Sequence, residues 1–317
     1  MKSLEVFLTI MESGSITRAA QSLGMTQSAA SQILSRLEAS LGSILFDRVS
    51  RPLRPTRAGE ILQQRARILM SEAERTVALV READSSVIPI IRAGLVDSFA
   101  TTVGPHLVKG LRGHADQLRI WSGIAPNLSR DLLNRSLDLV IGSDPMEDLV
   151  GLERHRLFVE PLVLVMPKSQ AKNWNHLSLA DLAASVPMVR YSIRSGLGSQ
   201  IDRHLRRMKI EVPPALEFDA TEAVFAMVGA GIGWAITTPL CLLQGRSFIP
   251  ELSILPLPGP AVARRLYLVL RGGELTVLAE RIADISCKTL KNLTKKELLP
   301  LAPWLSKHIR VGEGKAE

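Results

Sequence analysis

Residues 15–45 read SITRAAQSLGMTQSAASQILSRLEASLGSIL, and this stretch decides how the chain is organised. It predicts two helices joined by a tight turn. Ser15 is placed to cap the first helix, because its hydroxyl can accept from an amide that the opening turn leaves unpaired. Ala19, Ala20 and Leu23 put an apolar stripe on one face, and Gly24 stands where a left-handed residue costs little. Thr26 then caps a second helix over 27–40, which Gly42 closes. In that helix Ala30, Leu34, Leu37 and Leu41 recur at helical spacing, so all four are expected to pack inward. Gln27, Ser28, Ser31, Gln32, Ser35 and Arg36 are left outside. A face of amides, hydroxyls and a guanidinium, with few acids, suits hydrogen bonding to base edges and phosphates. The small side chains at 19, 20 and 30 let the helices cross closely, as a helix-turn-helix requires. The plainer alternative is an amphipathic helix pair whose Ser/Gln face is only solvated.

The next segment favours the first reading. Residues 46–57 hold Arg48, Arg51, Arg54 and Arg57 against the single acid Asp47, and Pro52 and Pro55 oppose a helix. An Arg-rich ribbon stiffened by proline, directly after a recognition-type helix, reads as a wing that grips backbone phosphates. Double-stranded DNA is therefore the expected partner. Gln27, Ser28, Ser31 and Gln32 would face the major groove, Arg36 the backbone, and Arg48, Arg51 and Arg54 would make the wing contacts.

Leu4, Phe7, Gly14, Ser15, Ala19, Ala20, Leu23, Gln27, Ser28, Ser31, Leu37, Glu38, Leu41, Gly42, Leu45, Phe46, Arg48, Arg51, Pro55, Thr56 and Gly59 together resemble the N-terminal signature of the LysR-type transcriptional regulators. The chain departs from that pattern at Ser28, where the family often has Pro, and at Gln32, where it often has Arg. The resemblance implies an α+β multidomain architecture. Its parts would be an N-terminal winged helix-turn-helix, a long linker helix, and a two-lobed α/β effector-binding domain similar to periplasmic solute-binding proteins. It also implies assembly beyond a dimer to a homotetramer, bending of the bound DNA, and an effect on RNA polymerase access.

Composition sets looser bounds. The 317 residues carry 46% hydrophobic side chains, enough for substantial cores, and a formal charge of +8 that favours a polyanionic partner. Aromatic content of 4% argues against single-strand binding by base stacking. Cys241 and Cys287 are too few for a disulfide framework or a zinc cluster. No secretory apolar region and no bilayer-length apolar run is present, so a cytoplasmic protein with no membrane partner is expected.

The organisation along the chain follows. The winged helix-turn-helix occupies 1–59, and an uninterrupted helical segment fills 60–87. Leu62, Ala66, Leu69, Ala73, Thr76, Val80 and Ala83 form a heptad seam flanked by charges, which predicts a dimerisation helix pairing two recognition helices on a palindrome. A linker at 85–89 leads to alternating strands and helices over 88–295, read as parallel sheets covered by helices. Lobe I would take 88–165 and 264–295, and lobe II 166–263, with a single strand over 157–166 crossing between them. The first helix of lobe I is expected at 101–111. A basic tail at 296–317 is expected to be partly helical and frayed.

In such folds ligands sit beyond the carboxyl ends of strands, at helix N-termini. That rule points to Ser98, Thr101, Ser122, Gly123, Ser143 and Thr221 for hydroxyl and backbone contacts, with Arg190 or Arg194 supplying charge. The expected effector is a small carboxylate metabolite. Each residue alone has a plainer reading, since Ser and Thr at helix starts are commonly caps. Enzymatic motifs fail one by one. The run from Gly229 to Trp234 lacks the third glycine of a dinucleotide fingerprint, no nucleophile elbow or phosphate loop occurs, and the six histidines never fall at metal-ligand spacing. Catalytic residues, metals and cofactors are therefore not expected. The rival reading is a cytosolic small-molecule-binding α/β protein or enzyme without DNA binding.

Overall fold

A computed structural model describes residues 1–47, 52–82, 88–123, 128–174, 176–213 and 216–312. Two compact units form, one of residues 1–89 with 130–137 and the other of 90–129 with 138–317.

In the first unit α1 (Lys2–Ser13), α2 (Ile16–Ser22) and α3 (Gln27–Leu41) enclose Phe7, Ile10, Ala19, Ala20, Ala30 and Leu34. Both expected caps form: Ser15 Oγ accepts the Arg18 N–H at 3.4 Å and Thr26 Oγ1 the Ala29 N–H at 3.2 Å. Gly24 and Gly42 both adopt a φ of 62°, the left-handed region in which a side chain is strained. Ala30 and Leu34 are buried and Leu37 is half-buried, but Leu41 stays 48% exposed, against expectation. The chain reverses at Gly42 and returns to the buried Leu45 and Phe46, covering the turn that holds Glu38 rather than the last turn. Glu38 is buried in place of Leu41, its Oε1 accepting the Leu45 N–H at 2.8 Å. A carboxylate supplied with a backbone donor tolerates that position.

β1 (Phe46–Asp47) and β2 (Arg54–Pro55) pair antiparallel, Phe46 opposite Pro55, and form the base of the wing. Arg48 and Arg51 lie outside the described residues. α4 (Arg57–Glu82) starts earlier than expected because Thr56 caps it, Oγ1 accepting the Gly59 N–H at 3.1 Å. A Cβ on Gly59 would stand 2.3 Å from the Leu45 carbonyl oxygen, so the helix can lie this close to the ribbon only with glycine there. At 1.5 Å per residue α4 is about 39 Å long. Its seam divides. Leu62 packs on the core of its own domain and Ala66 is fully buried in it, whereas Leu69 is 56% exposed, as is Ile61 at 57%. The first positions of the heptad thus serve the monomer, which corrects the reading of a seam left wholly for a partner. Ala83 lies outside the described residues.

β3 (Ile88–Leu95) carries the chain into the second unit and takes up Ile88 and Pro89 of the expected linker; residues 85–87 lie outside the described residues. Then come α5 (Asp97–Thr102), α6 (Gly104–Gly110), β4 (Ala115–Ser122), α7 (Leu128–Leu133, of which residues 130–133 group with the first unit), β5 (Leu139–Gly142) and β6 (Leu152–Pro161). The expected single helix at 101–111 is two helices, because Pro105 follows Gly104 and cannot donate within a continuous helix. The break moves the first helix forward to Asp97 and puts Ser98 in its opening turn. Lobe II runs through β7 (Val163–Pro167), α8 (Ala171–Trp174), α9 (Leu179–Ser185), β8 (Val189–Tyr191), α10 (Gly196–Arg207), β9 (Leu216–Phe218), α11 (Thr221–Gly229), β10 (Ala235–Thr237), α12 (Pro239–Gln244) and β11 (Leu252–Pro256). The chain returns by β12 (Ala263–Arg271) to α13 (Thr276–Leu293), α14 (Leu299–Leu301) and β13 (Arg310–Val311).

The large sheet has the order β13-β6-β12-β5-β3-β4. β3 and β5 are parallel, but β12 inserts antiparallel between β5 and β6, so the expected all-parallel sheet is mixed. The reason is the double crossing: β6 leaves for the second lobe and β12 brings the chain back beside it. The strand expected over 157–166 is interrupted at Leu162, with β6 in the large sheet and β7 pairing antiparallel to β10 and β11. β8 and β9 form a parallel pair.

The C-terminal tail is packed through Gly312, against the expectation of a frayed end. Leu298 and Leu305 are fully buried, Ala302 nearly so, and β13 adds a strand to the edge of β6. The Gly312 N–H donates to the Leu157 carbonyl at 3.0 Å, and residues 313–317 lie outside the described residues.

Candidate functional site

The first site is the outer face of α3. Gln27, Ser28, Gln32, Ser35 and Arg36 are exposed and Ser31 is half-buried. Ser28, Gln32, Ser35 and Arg36 share the side away from Ala30 and Leu34, Ser31 flanks it, and Gln27 is open because it begins the helix, a turn before Ala30. Glu38 is the only acid of the helix and it points into the core, so nothing anionic stands on the polar face. Ser28 Oγ lies 3.1 Å from Thr26 Oγ1, which ties that hydroxyl to the cap and leaves the Gln27 and Gln32 amides and the Arg36 guanidinium as the long hydrogen-bonding groups of this helix. Arg54 is exposed on β2, beside the turn of the wing. The expected groove residues are thus on one surface, while the placement of Arg48 and Arg51 lies outside the described residues.

The second site is a cavity of about 330 Å³ within the α/β unit, near the lower limit for small-molecule sites. It opens where the carboxyl ends of β3 and β5 meet the starts of α5, α10 and α11. Of the expected effector residues, Ser98, Gly123, Ser143, Arg194 and Thr221 line it. Three do not. Thr101 is exposed one turn further along α5, and Ser122 is exposed at the end of β4 while its neighbour Gly123 reaches the cavity. Arg190 is buried and donates to Asp202 Oδ1 at 2.7 Å, so its charge is spent inside lobe II. Arg194 is an exposed side chain paired with Asp219 at 3.1 Å.

The floor of the cavity holds residues that sequence reasoning did not select. Glu160, at the end of β6, is fully buried, and Arg264, at the start of β12, is 4% exposed. Arg264 Nε donates to Glu160 Oε1 at 2.7 Å, and its Nη2 donates to Ser98 Oγ at 3.0 Å. The other oxygen of Glu160 accepts the Leu240 N–H at 2.8 Å, a free amide of the first turn of α12. Burial works against the Arg264 charge, but the Glu160 carboxylate outweighs it and raises the guanidinium pKa above its ordinary value. One buried carboxylate therefore joins both crossing strands, a lobe I helix through Arg264, and a lobe II helix through its backbone. Beside it the Tyr191 hydroxyl lies 2.9 Å from Thr237 Oγ1, and burial pushes its pKa well above the ordinary value, keeping it neutral. The signal that could have found Arg264 is its place at the opening of an apolar strand, where an arginine needs a buried partner.

Comparison with known proteins identifies both domains. Residues 1–60 match the bacterial regulatory helix-turn-helix protein family, lysR family, and residues 88–286 match the LysR substrate binding domain. The chain is 28% identical over 272 residues to the HTH-type transcriptional regulator BudR of Raoultella terrigena, covering 80% of this chain and 93% of that one. Its fold is similar to ArgP from Mycobacterium tuberculosis, with a TM-score of 0.66 at 20% identity over 91% of this chain and 96% of that one. Full-length CbnR complexed with its target DNA gives a TM-score of 0.65 at 20% identity, over 91% and 99% of the two chains. The two family matches cover most of the chain and make it a member of the LysR family of transcriptional regulators, a DNA-binding helix-turn-helix domain followed by the family's substrate-binding domain.

Proposed function

We propose that this regulator binds an interrupted palindrome in double-stranded operator DNA as a homodimer, assembled further into a homotetramer, and that a small carboxylate in the α/β cavity adjusts that binding. The observation that carries the DNA reading is the acid-free outer face of α3, with Ser28, Gln32, Ser35 and Arg36 on one side of a capped helix that the exposed Gln27 opens. Two such helices on a symmetric pair would engage two half-sites and add their binding energies. Leu69 and Ile61, exposed apolar side chains of α4 among the described residues, are available for that pairing.

The effector would act through the cavity floor. Glu160 and Arg264 lie on the two crossing strands, so a ligand on Ser98 and Arg264 changes the balance between lobe placements by its differential affinity for them. A shift in lobe placement alters how dimers pair, and with it the bend of the DNA and access for RNA polymerase. The metabolite is bound and not converted, and the protein works in the cytoplasm.

The test is fluorescence anisotropy of the full chain on duplexes selected from random sequence, over a salt series. Saturable, salt-sensitive binding that disappears when residues 1–57 are removed is the expected result. Binding that survives that deletion would overturn the reading.

A further inference from the structure

The cavity is chemically two-sided. On the floor, Arg264 uses Nε and Nη2 on Glu160 and Ser98, while its Nη1 makes no hydrogen bond among the described residues. This guanidinium is more than nine-tenths buried, and the exposure that remains to it opens on the cavity it lines. Ser98 Oγ accepts from Arg264 and keeps its own hydrogen to donate. The floor thus offers donors, and a carboxylate is the natural occupant.

The walls offer the opposite. Asp97, Asp144 and Asp219 line the same cavity, against Arg194 and an Arg264 already neutralised by Glu160. Arg194 is taken by Asp219, and no cation among the described residues pairs with Asp97 or Asp144. Asp97 is half-buried, and Asp144 is exposed with one oxygen accepting the Met146 N–H at 2.8 Å. Two carboxylates without cations ask for a positively charged donor. A second carboxylate on the ligand would meet Asp97 and Asp144 and be repelled.

We propose that the effector is a small zwitterion, whose carboxylate meets Arg264 Nη1 and Ser98 while its ammonium meets the carboxylates of Asp97 and Asp144. The proposal rests on the reading that the cavity is the effector site, and narrows the ligand from carboxylates in general to amino acids and compounds of that charge pattern. The cavity's size sets the scale, room for one small molecule.

The experiment is a thermal-shift screen of the full chain against three matched series: protein amino acids, the corresponding 2-oxo acids, and dicarboxylates of the same carbon skeletons. The expected result is stabilisation by one or a few amino acids, with the matching 2-oxo acid weaker on the order of a hundredfold in titration calorimetry. Asp97→Asn and Asp144→Asn should each narrow that ratio. The same ligands are then tested on Ser143→Trp, which fills the mouth of the cavity. If 2-oxo acids or dicarboxylates bind as well as amino acids and Ser143→Trp abolishes them, the zwitterion is wrong and the cavity reading stands. If every shift survives Ser143→Trp, or if no member of any series binds, the cavity reading falls and the zwitterion with it.

Discussion

The Arg264 guanidinium reaches Ser98 Oγ across 3.0 Å, joining residues 166 positions apart at the point where the returning strand meets the first helix of lobe I. Glu160 holds Arg264 in that pose, and the arrangement has an energetic signature. Removing one member of a buried pair leaves the other charge unmatched and typically costs about 3–5 kcal/mol. Glu160→Gln should therefore lower stability by about that amount in urea unfolding, whereas Glu160→Leu combined with Arg264→Met should lose much less. Equal losses for the single and double variants would mean that the pair matters only through packing.

The sequence was most legible where a local rule suffices. Ser15, Thr26, Gly24 and Gly42 mark the helix-turn-helix by capping and turn chemistry that involves only near neighbours, and the structure follows them. Leu41 was misread because the chain's return to Leu45, a contact beyond the helix itself, decides which turn of α3 is covered. The same limit applies in the cavity. Strand ends pointed to Ser98, Ser143 and Thr221 by a rule of position, but Glu160 and Arg264 become a site only when strands 104 residues apart are paired. Arg190 shows the converse, since a charged residue beside the right strand end was already claimed by Asp202 on α10. The tail at 298–305 carried its pattern openly in Leu298, Ala302 and Leu305, and its excess of basic residues hid it.

On DNA, Gln27 and Arg54 should behave differently. Gln27→Ala is expected to weaken binding to a selected operator by about 1–3 kcal/mol and to leave random duplex nearly unchanged. Ser31→Ala should act in the same direction, less strongly because its side chain is half-buried. Arg54→Ala should weaken all duplexes alike and lower the salt slope by roughly one unit. If Gln27→Ala weakens random and selected duplexes equally, the groove assignment of α3 is wrong.

Assembly is tested at Leu69. This leucine and Ile61 lie eight residues apart on α4, close to one face, and both are exposed in the monomer. Leu69→Glu should shift sedimentation toward monomers and reduce affinity for a full palindrome far more than for a half-site. An unchanged sedimentation profile would move the pairing surface elsewhere.

The packed tail predicts a large effect from a small change far from both sites. Leu305 is fully buried, so Leu305→Ala should destabilise the α/β unit by about 2–5 kcal/mol in thermal or urea unfolding. A frayed tail would give a change within about 0.5 kcal/mol, as for an ordinary surface substitution.

His204 sets the acid side of the stability profile. It is 4% exposed on α10, and its Nε2 is buried without a hydrogen-bond partner. Burial, assisted by Arg207, lowers its pKa below the ordinary 6.5. The folded state therefore resists a proton that the unfolded state accepts. Above pH 6.5 neither state is protonated there and stability is at its full value; as the pH falls below 6.5 the unfolded state gains the proton first and stability declines. The decline continues until the pH passes the lowered native pKa, below which both states carry the charge and this residue adds no further slope. His204→Leu keeps the apolar contacts of the helix and removes the titration, so its stability should vary less with pH than the parent's across that window. Parallel profiles for the two proteins would show that the acid limb comes from other groups.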